Sequence, residues 1–218
     1  AEFDTAPVIL SQVQSANGAD FVTTRQRSAD AEGFQLTMQE EEAGNAGSHF
    51  VETLGWVALE AGSGTSGGVS WLAGSATGVT DATATVPLGA SIAGGARVIA
   101  GVASYAGIDP AWARGAGSTI NSFDVSVEED ASQDPETDHF AERIDYFAFD
   151  GPGILSAAPM QDILETGTLA LNSDPVTVAL QRSYDDPVVI AHVATGNGFQ
   201  PVNVRVSEVS GSSLVMQL

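Results

Sequence analysis

Two stretches of the sequence carry the same arrangement of acidic residues around one histidine. The first holds Glu40-Glu41-Glu42, His49 and Glu52, and the second holds Glu128-Glu129-Asp130, His139 and Glu142. Carboxylates and imidazoles bind metal ions, act as general acids and bases, and form buried polar networks. The recurrence therefore raises three interpretations: a cation site, a catalytic pair, or a piece of architecture.

The acidic residues of the second stretch are candidate ligands for Ca²⁺, because a hard cation takes several oxygen ligands at one site. The candidates are Glu128, Glu129, Asp130, Asp134 and Asp138, with Glu136 as a further carboxylate in the same loop; the triplet Glu40-Glu41-Glu42 is the equivalent in the first stretch. The first stretch offers only Asn45 beyond its triplet, and no EF-hand spacing is present. A solvated loop on an acidic protein is the alternative.

The histidine and the glutamate that follows it are three residues apart in both stretches. Such residues share a face on a helix and point to opposite faces on a strand. The residues that follow have a strand pattern, so we expect that His and Glu do not bind one ion. Glu52 and Glu142 then need partners, and Arg25 and Arg114 are the candidates as bidentate donors. A Glu–Arg ion pair placed identically in each copy would make the recurrence architectural.

Aromatic residues near predicted loops are candidates for ligand binding, since exposed rings stack on sugars. They are Trp112, Tyr105 and Phe199. The alternative is that they close the end of a β-sandwich. Residues 62–68 formally satisfy two glycine-rich motifs, but they lie in a Gly/Ser segment, 60–71, that has the composition of a flexible linker. No catalytic triad or glycosidase-type carboxylate pair is indicated, so we predict no enzymatic activity.

The whole sequence repeats with a period of about 90 residues. Val8, Val98 and Val188 are 90 apart, and Arg25, Arg114 and Arg205 recur further along each copy. We predict units at 1–62, 63–151 and 152–218. The first lacks leading strands and the third lacks trailing strands. Two interpretations follow: an excerpt of a longer tandem array, or ends that complete one another between chains as a head-to-tail polymer.

The fold prediction follows from apolar residues that alternate with period two, as at Phe123, Val125 and Val127. Residues 187–193 are continuously apolar, which predicts a strand covered on both faces. Residues 159–167 have a weak helical pattern. The predicted class is all-β, with tandem small antiparallel β-sandwiches of about six strands per unit.

The core pattern resembles the H-type lectin domain, which recurs in large bacterial surface proteins. The matching residues are Pro7-Val8-Ile9, Gly33-Phe34-Gln35-Leu36, Trp56-Val57-Ala58, Asp186-Pro187-Val188-Val189-Ile190 and Val202 to Val206. The resemblance implies a six-stranded antiparallel sandwich, often trimeric, that binds N-acetylgalactosamine-type sugars. The family's sugar-binding aromatic and histidine fall here on Glu41 and Glu42, or on Glu129 and Asp130. Its arginine falls on Phe21 or Ala111, so the lectin pocket is not expected here.

Composition limits the partners. The formal net charge is −21, with seven basic residues and no cysteine. All seven are arginine, and this balance repels nucleic acid and anionic lipid while suiting salty water. No apolar run is long enough for membrane insertion. We expect an extracellular or cell-surface protein that serves in adhesion or as a self-associating fibre element. The alternative is a module that binds surface glycans, with Ca²⁺ as a candidate cofactor.

Overall fold

The computed structural model describes residues 3–44, 48–151, 153–158 and 161–218, with 156–158 and 161–163 described by their backbone only. All of the regular secondary structure in these ranges is β-strand, so the prediction of an all-β fold is confirmed. The strands are β1 (Val8–Val13), β2 (Val22–Arg27), β3 (Gln35–Glu40), β4 (Leu54–Leu59), β5 (Gly62–Ser66), β6 (Val69–Val79), β7 (Ala84–Pro87), β8 (Arg97–Val102), β9 (Ala111–Ser118), β10 (Ser122–Glu129), β11 (Glu142–Phe149), β12 (Gly153–Ala158), β13 (Gln161–Thr166), β14 (Val176–Ala179), β15 (Arg205–Ser207) and β16 (Ser213–Gln217). We call β1–β4, β5–β11 and β12–β16 the first, second and third units. Among the described residues there is no helix that could cross a membrane.

The second unit is an antiparallel β-sandwich of seven strands. One sheet has the order β5-β6-β11-β8, and the other has the order β7-β10-β9. Phe123, Val125 and Val127 of β10 point inward, as their alternation predicts, while the residues between them are half-buried. Ile144 and Tyr146 of β11 complete this core from the opposite sheet. Alternate residues of β11 reach a second core described below, which explains why nearly the whole strand is buried.

Strands of the other two units pair as their counterparts in the second unit do. In the first unit β1 pairs with β4 and β2 pairs with β3, as β8 pairs with β11 and β9 with β10. In the third unit β14-β16-β15 has the order of β7-β10-β9, and β12 pairs with β13 as β5 does with β6. The predicted boundary between residues 62 and 63 falls at the first residue of β5.

The strand register corrects the sequence alignment of the first unit by one residue. Val13 pairs with Leu54, and Val102 pairs with Ile144. Leu54 and Ile144 are 90 apart, whereas Val13 and Val102 are 89 apart. The counterpart of Val98 is therefore Ile9 rather than Val8. The extra residue of the second unit lies in its acidic loop, where the backbone can absorb it without shifting a strand.

Three local predictions are wrong. Residues 60–71 are not a flexible linker, because β5 and β6 form a hairpin whose two-residue turn, Gly67-Gly68, has φ of 59° and 82°. Within 159–167, residues 161–166 are strand rather than helix, and residues 159–160 lie outside the described residues. Residues 187–193 are not assigned to a strand. Their counterparts β1 and β8 pair with β4 and β11, and no such neighbour exists in the described chain.

A second apolar core joins all three units. Leu10, Ile99 and Ile190, one from each unit, belong to this core. Its other members are Val8, Leu59, Val69, Trp71, Ala73, Phe147, Phe149, Leu155 and Leu164. The three units therefore pack against one another through equivalent segments.

Candidate functional site

The His139 cluster lies at one end of the second sandwich, where β10 ends and β11 begins. Glu129 is the last residue of β10, Glu142 is the first of β11, and His139 lies in the loop between them. His139 Nδ1 hydrogen-bonds Glu129 Oε2, and Nε2 lies 3.1 Å from Glu142 Oε1. All three side chains are buried. One imidazole is thus held between two carboxylates away from solvent.

The loop that follows β8 surrounds the Glu142 carboxylate with donors. The Ser104 hydroxyl donates to Oε2, and the N–H groups of Ala106 and Gly107 lie 3.0 and 3.1 Å from Oε1. A Cβ at Gly107 would collide with the His139 ring, so only glycine permits this approach. Arg25 of the first unit adds an ion pair of 2.6 Å with both side chains fully buried.

The His49 cluster reproduces this arrangement in the first unit. His49 Nδ1 lies 2.8 Å from Glu40 Oε1, and Nε2 lies 3.1 Å from Glu52 Oε1. Glu52 accepts hydrogen bonds from the Ser15 hydroxyl and from the N–H groups of Asn17 and Gly18. Gly18 again approaches the imidazole too closely for any other residue. The opening sequence recurrence therefore encodes one local structure twice.

The convergence of histidine and glutamate contradicts the sequence expectation that they point to opposite faces. That argument requires both residues to be on a strand. His139 precedes β11, and residues 48–53 precede β4, so neither pair has regular strand geometry between its members. The side chains turn toward each other because each glutamate is fixed by the loop donors and each imidazole bridges to it.

Arg25 and Arg205 connect different units instead of closing a pair within one unit. Arg25 of the first unit binds Glu142 of the second, and Arg205 of the third binds Glu52 of the first at 3.3 Å. Arg25 also donates to the Asp109 carbonyl, as Arg205 does to the corresponding Asp20 carbonyl. The clusters are therefore interfaces between units. Sequence reasoning missed this role of Arg205, although its recurrence with Arg25 was visible.

Arg114 has a different set of partners. It pairs with Glu128 at 2.8 Å, and its Nε donates to the Thr195 carbonyl of the third unit. Arg25 and Arg205 each bind a glutamate of another unit, so the equivalent partner of Arg114 would be a glutamate of the third unit. No such glutamate lies in this position among the residues that the structure describes.

Asp145 makes a further contact between units. This buried carboxylate accepts hydrogen bonds from Ser75, Arg143 and the backbone N–H of Ile9 in the first unit. Its counterpart in the first unit is Gly55, and the amide oxygen of Gln14 occupies the place of the missing side chain. The Gln14 oxygen accepts from the N–H of Val189, 2.5 Å away, in the third unit. The same interface is thus satisfied by different residues in the two units.

The histidines of the two clusters, His49 and His139, have raised pKa values. Burial lowers the pKa of His139, but its hydrogen bonds with Glu142 and Glu129 outweigh burial and raise the pKa overall. Burial also lowers the pKa of His49, but its hydrogen bonds with Glu52 and Glu40 outweigh burial and raise the pKa overall. Burial alone would raise the pKa of Glu142, yet His139, Ser104, Gly107 and Arg25 bring it to about 2. The pKa of Glu52 is likewise about 2, because its hydrogen bonds outweigh burial.

These shifts predict a stability maximum at mildly acidic pH. The raised histidine pKa values contribute stability that is complete below the ordinary value of 6.5 and lost as pH rises through the folded values. The lowered glutamate values contribute stability that is complete above 4.5 and lost as pH falls toward 2. We expect the free energy of unfolding to peak between these limits and to fall by about 1–3 kcal/mol toward pH 9.

Guanidinium titrations from pH 3 to 9 at fixed ionic strength measure this profile. Burial raises the pKa of the Glu129 carboxyl, so its contribution to stability is lost as pH rises from 4.5 through its folded pKa, which moves the maximum toward the acidic limit. In a double His49→Gln, His139→Gln variant, the free energy of unfolding should decrease less between pH 6 and 9 than it does in the wild type. A wild-type stability that is flat or rises between pH 6 and 9 would contradict the prediction.

The five candidate Ca²⁺ ligands do not converge on one point. Glu128 is engaged by Arg114 and by Trp112 Nε1, Glu129 by His139, and Asp130 accepts from the Glu42 N–H and from Ser132. The described residues instead contain two groups of three potential ligands within 4.8 Å of one another. They are Asp109, Glu129 and Glu136, and Asp20, Glu40 and His49. Glu129, Glu136 and Glu40 are acidic residues that the sequence offered as ligands, whereas Asp20 and Asp109 were not predicted.

The acidic loops of the first and second units face each other. The Glu42 N–H donates to Asp130, and the Ala43 N–H donates to the Ser132 hydroxyl. Partial burial, together with a hydrogen bond to Asp109 and the nearby carboxylates, raises the pKa of Glu42 to about 7. This junction therefore concentrates negative charge between two units.

The aromatic candidates have three different environments. Trp112 lies on β9 and is only 7% exposed; its indole N–H donates to Glu128, and Phe21 contacts it edge-on. The prediction that Trp112 is a loop aromatic open to ligands is wrong, because the first unit covers it. Tyr105 is 38% exposed and lies under the Arg25 guanidinium, 4.4 Å from the ring centroid. Phe199 is fully exposed, and the sequence analysis missed Trp56, which is 51% exposed.

The fold and its clusters define a class of protein: antiparallel β-sandwich units joined by buried His–Glu–Arg contacts. No protein-family model and no solved structure matches the chain. The sequence is similar to halomucin from Haloquadratum walsbyi, with 26% identity over 146 residues, which is 66% of this chain. The chain spans about 2% of the length of halomucin.

Proposed function

We propose that this chain is a non-enzymatic extracellular element of tandem H-type-lectin-like sandwiches that serves in adhesion or as part of a surface fibre. One observation carries the proposal: the His, Glu and Arg side chains that could take part in chemistry are buried in contacts that join units. Arg25 and Glu142 are fully buried across one junction, and Arg205 binds Glu52 across another. Such contacts suit a protein whose task is mechanical continuity between domains.

The environment of the histidines argues against catalysis. A general base must come within hydrogen-bond reach of a substrate proton. In the His139 cluster both ring nitrogens already contact carboxylates, and Glu142 is surrounded by hydroxyl, N–H and guanidinium donors. The side chains of His139 and Glu142 are at most 1% exposed. A substrate would have to displace an interface between units to reach them.

The charge and composition support a location outside the cell. A net charge of −21 without lysine keeps the surface hydrated and soluble, and dissolved salt screens its self-repulsion. The absence of cysteine makes folding independent of the redox state of the surroundings. Together with the similarity to halomucin, these properties favour an extracellular or cell-surface location.

The positions that bind sugar in H-type lectins have other roles in this chain. Ala111 is fully buried, and Phe21 packs edge-on against Trp112. Glu129 belongs to the His139 cluster. These contacts support the use of the fold for assembly rather than for binding sugar at the family's position.

Binding and self-association assays test the proposal. Sedimentation velocity over a range of salt and protein concentrations, combined with adhesion to surfaces and glycan arrays, should show affinity for itself or for a surface. Chelator should leave this affinity unchanged. A folded monomer without affinity for itself, for surfaces or for glycans would overturn the proposal.

A glycan-binding module, with Ca²⁺ as cofactor, is the second candidate function. The exposed ring of Trp56 packs edge-on against Phe34 and lines a groove with Phe3 and Pro7, which favours stacking of a sugar. Glycan arrays with and without chelator distinguish the two functions. A Trp56→Ala variant should abolish binding if the groove is used, and Phe140→Ala serves as the control at an exposed aromatic that is not a ligand-binding candidate.

A further inference from the structure

A groove lies where the first unit meets the loop that follows β8 of the second unit. Its volume is about 530 Å³, which is within the range of small-molecule sites. Residues of β2 and β3 line it from the first unit, and Tyr105 lines it from the second. None of the described residues that line it is acidic, in a chain with 28 acidic and seven basic residues.

Arg27 presents an oriented guanidinium to this groove. Its Nε donates to Gln35 Oε1, 2.9 Å away, and its guanidinium carbon lies 5.9 Å from the centroid of the Tyr105 ring. Neither of its terminal nitrogens has a hydrogen-bond acceptor within the described residues. A guanidinium held in this way offers two parallel N–H groups, which match two oxygens of a carboxylate or a sulfate.

The charge of Arg27 is not neutralised by any described acidic side chain. Four other arginines form ion pairs with carboxylates: Arg25, Arg114, Arg143 and Arg205. Arg27 is exposed and forms no such pair in the part of the chain that the structure describes. Its guanidinium is therefore available for an anion from solution.

The repeat separates this arginine from the architecture that the units share. Arg27 lies two residues beyond Arg25, whereas the residues two beyond Arg114 and Arg205 are alanine and serine. The arginines at the first of these positions join units, so their recurrence has a structural cause. Arg27 has no counterpart and no contact of that kind.

Tyr105 departs from the repeat in the same way. It is the second residue of the loop Ser-Tyr-Ala-Gly, 104–107, and the corresponding loops are Ser-Ala-Asn-Gly, 15–18, and Thr-Gly-Asn-Gly, 195–198. The first loop position keeps a hydroxyl and the last keeps a glycine in all three, while the second is tyrosine only here. Arg27 and Tyr105 thus meet at one junction through residues that the repeat does not require.

The remaining groups of the groove favour a sugar as the carrier of the anionic group. The amide nitrogen of Gln35 has no acceptor in the described chain, the Thr37 side chain is exposed, and Tyr105 is 38% exposed. Amide, hydroxyl and aromatic groups bind the hydroxyls and the C–H face of a sugar ring. The net charge of −21 repels long polyanions, so a single acidic sugar at the end of a glycan suits the groove better than an acidic polymer.

We propose that this groove binds the terminal acidic sugar of a glycan, with Arg27 donating two hydrogen bonds to the carboxylate or sulfate of that sugar. Gln35 keeps the guanidinium oriented, and the exposed part of Tyr105 contacts the sugar ring. The proposal rests on the second candidate function, glycan binding, and extends it to a site other than the Trp56 groove.

Methyl glucuronide and methyl glucoside test the proposal, because they differ only in a carboxylate that replaces a hydroxymethyl group. Each is titrated into the intact, isotope-labelled chain of 218 residues and followed by NMR. We expect the glucuronide to bind at least about tenfold more tightly than the glucoside and to shift the amide resonances of residues 25–27, 35–37 and 105. A sulfated galactose should shift the same resonances.

Variants at Arg27 test the role of the guanidinium. Arg27→Gln should weaken glucuronide binding by about tenfold or more, and Arg27→Lys should recover only part of it, because an ammonium group keeps the charge but not the paired N–H groups. Arg182→Gln removes the same charge from an exposed arginine of the third unit and should leave the affinity unchanged. Since Arg27 is exposed, both of its variants should fold as the parent does.

Three results would overturn the inference. Equal affinity for the two glycosides would show that the anionic group is not recognised. Inorganic sulfate or a blocked glutamate that binds as tightly as the glucuronide would show a site for any anion or for a protein carboxylate. Resonance shifts confined to the residues around Trp56 would assign the sugar to the other groove. This last result leaves glycan binding in place, whereas a glycan array without any binding removes the second candidate function itself.

Discussion

Replacing Arg25 with alanine is expected to lower the free energy of unfolding by about 3–5 kcal/mol. The guanidinium is fully buried and donates to Glu142 at 2.6 Å and to the carbonyl of Asp109 at 2.8 Å. Its removal leaves a buried carboxylate without its arginine partner and frees acceptors at the junction between units. Guanidinium denaturation followed by tryptophan fluorescence measures the loss.

The corresponding arginine of the other cluster provides a matched comparison. Arg205 is 13% exposed in its side chain and lies 3.3 Å from Glu52, so Arg205→Ala should cost only about 1–2 kcal/mol. Arg27→Ala, at an exposed arginine bonded to Gln35, should stay within about 0.5 kcal/mol of the parent. Equal losses in Arg25→Ala and Arg27→Ala would show that the buried pair does not hold the units together.

Replacing Phe149 with alanine should also cost about 3–5 kcal/mol, because it opens a cavity in the core shared by the three units. Phe149 is 1% exposed, packs against Phe147 at 5.6 Å, and belongs to the same cluster as Leu10 and Ile190. The substitution should therefore loosen the packing of units as well as the second sandwich.

Phe199 supplies the control, since the same substitution at this fully exposed ring should change stability by less than about 0.5 kcal/mol. Hydrogen exchange would show where the structure loosens. Faster exchange in both β1 and β11 is expected for Phe149→Ala. A loss confined to the second unit would contradict a core shared among units.

The sequence patterns that succeeded are those in which local spacing has a direct physical cause. Phe123, Val125 and Val127 alternate because one face of β10 packs on the core, and this periodicity is visible without coordinates. The recurrence of His and Glu likewise indicated a shared structure, since the same residue types at nearly the same spacing build the same cluster twice.

The failures have equally local causes. Residues 62–68 have linker composition, but the glycines at 67 and 68 supply the positive φ that a two-residue hairpin turn requires. Asp162-Ile163-Leu164-Glu165 is too short for its apolar pair to distinguish helix from strand. In both cases the pairing partner decides the structure, and a short window does not contain it.

The junctions between units were beyond the reach of sequence patterns. Arg25 and Glu142 are 117 residues apart in the sequence. Nothing in the residues around either of them indicates that Arg25 binds Glu142 rather than Glu52, which is closer in the sequence. The recurring Ser-x-x-Gly and Thr-x-x-Gly loops were a signal that could have been used, since a glycine and a hydroxyl at fixed spacing suggest a cage for an anion.

Asp145 and Gln14 are the hydrogen-bond acceptors at equivalent junctions, and this difference has a genetic consequence. Tandem coding repeats tend to be homogenised by recombination, which copies one stretch over its paralogue. Copying the Asp145 codon onto position 55 would drive a side chain into the Gln14 amide, which already fills that space. The Gln14 side chain would have to move before an aspartate at position 55 could accept from the N–H of Val189, so the residues at positions 14 and 55 constrain each other.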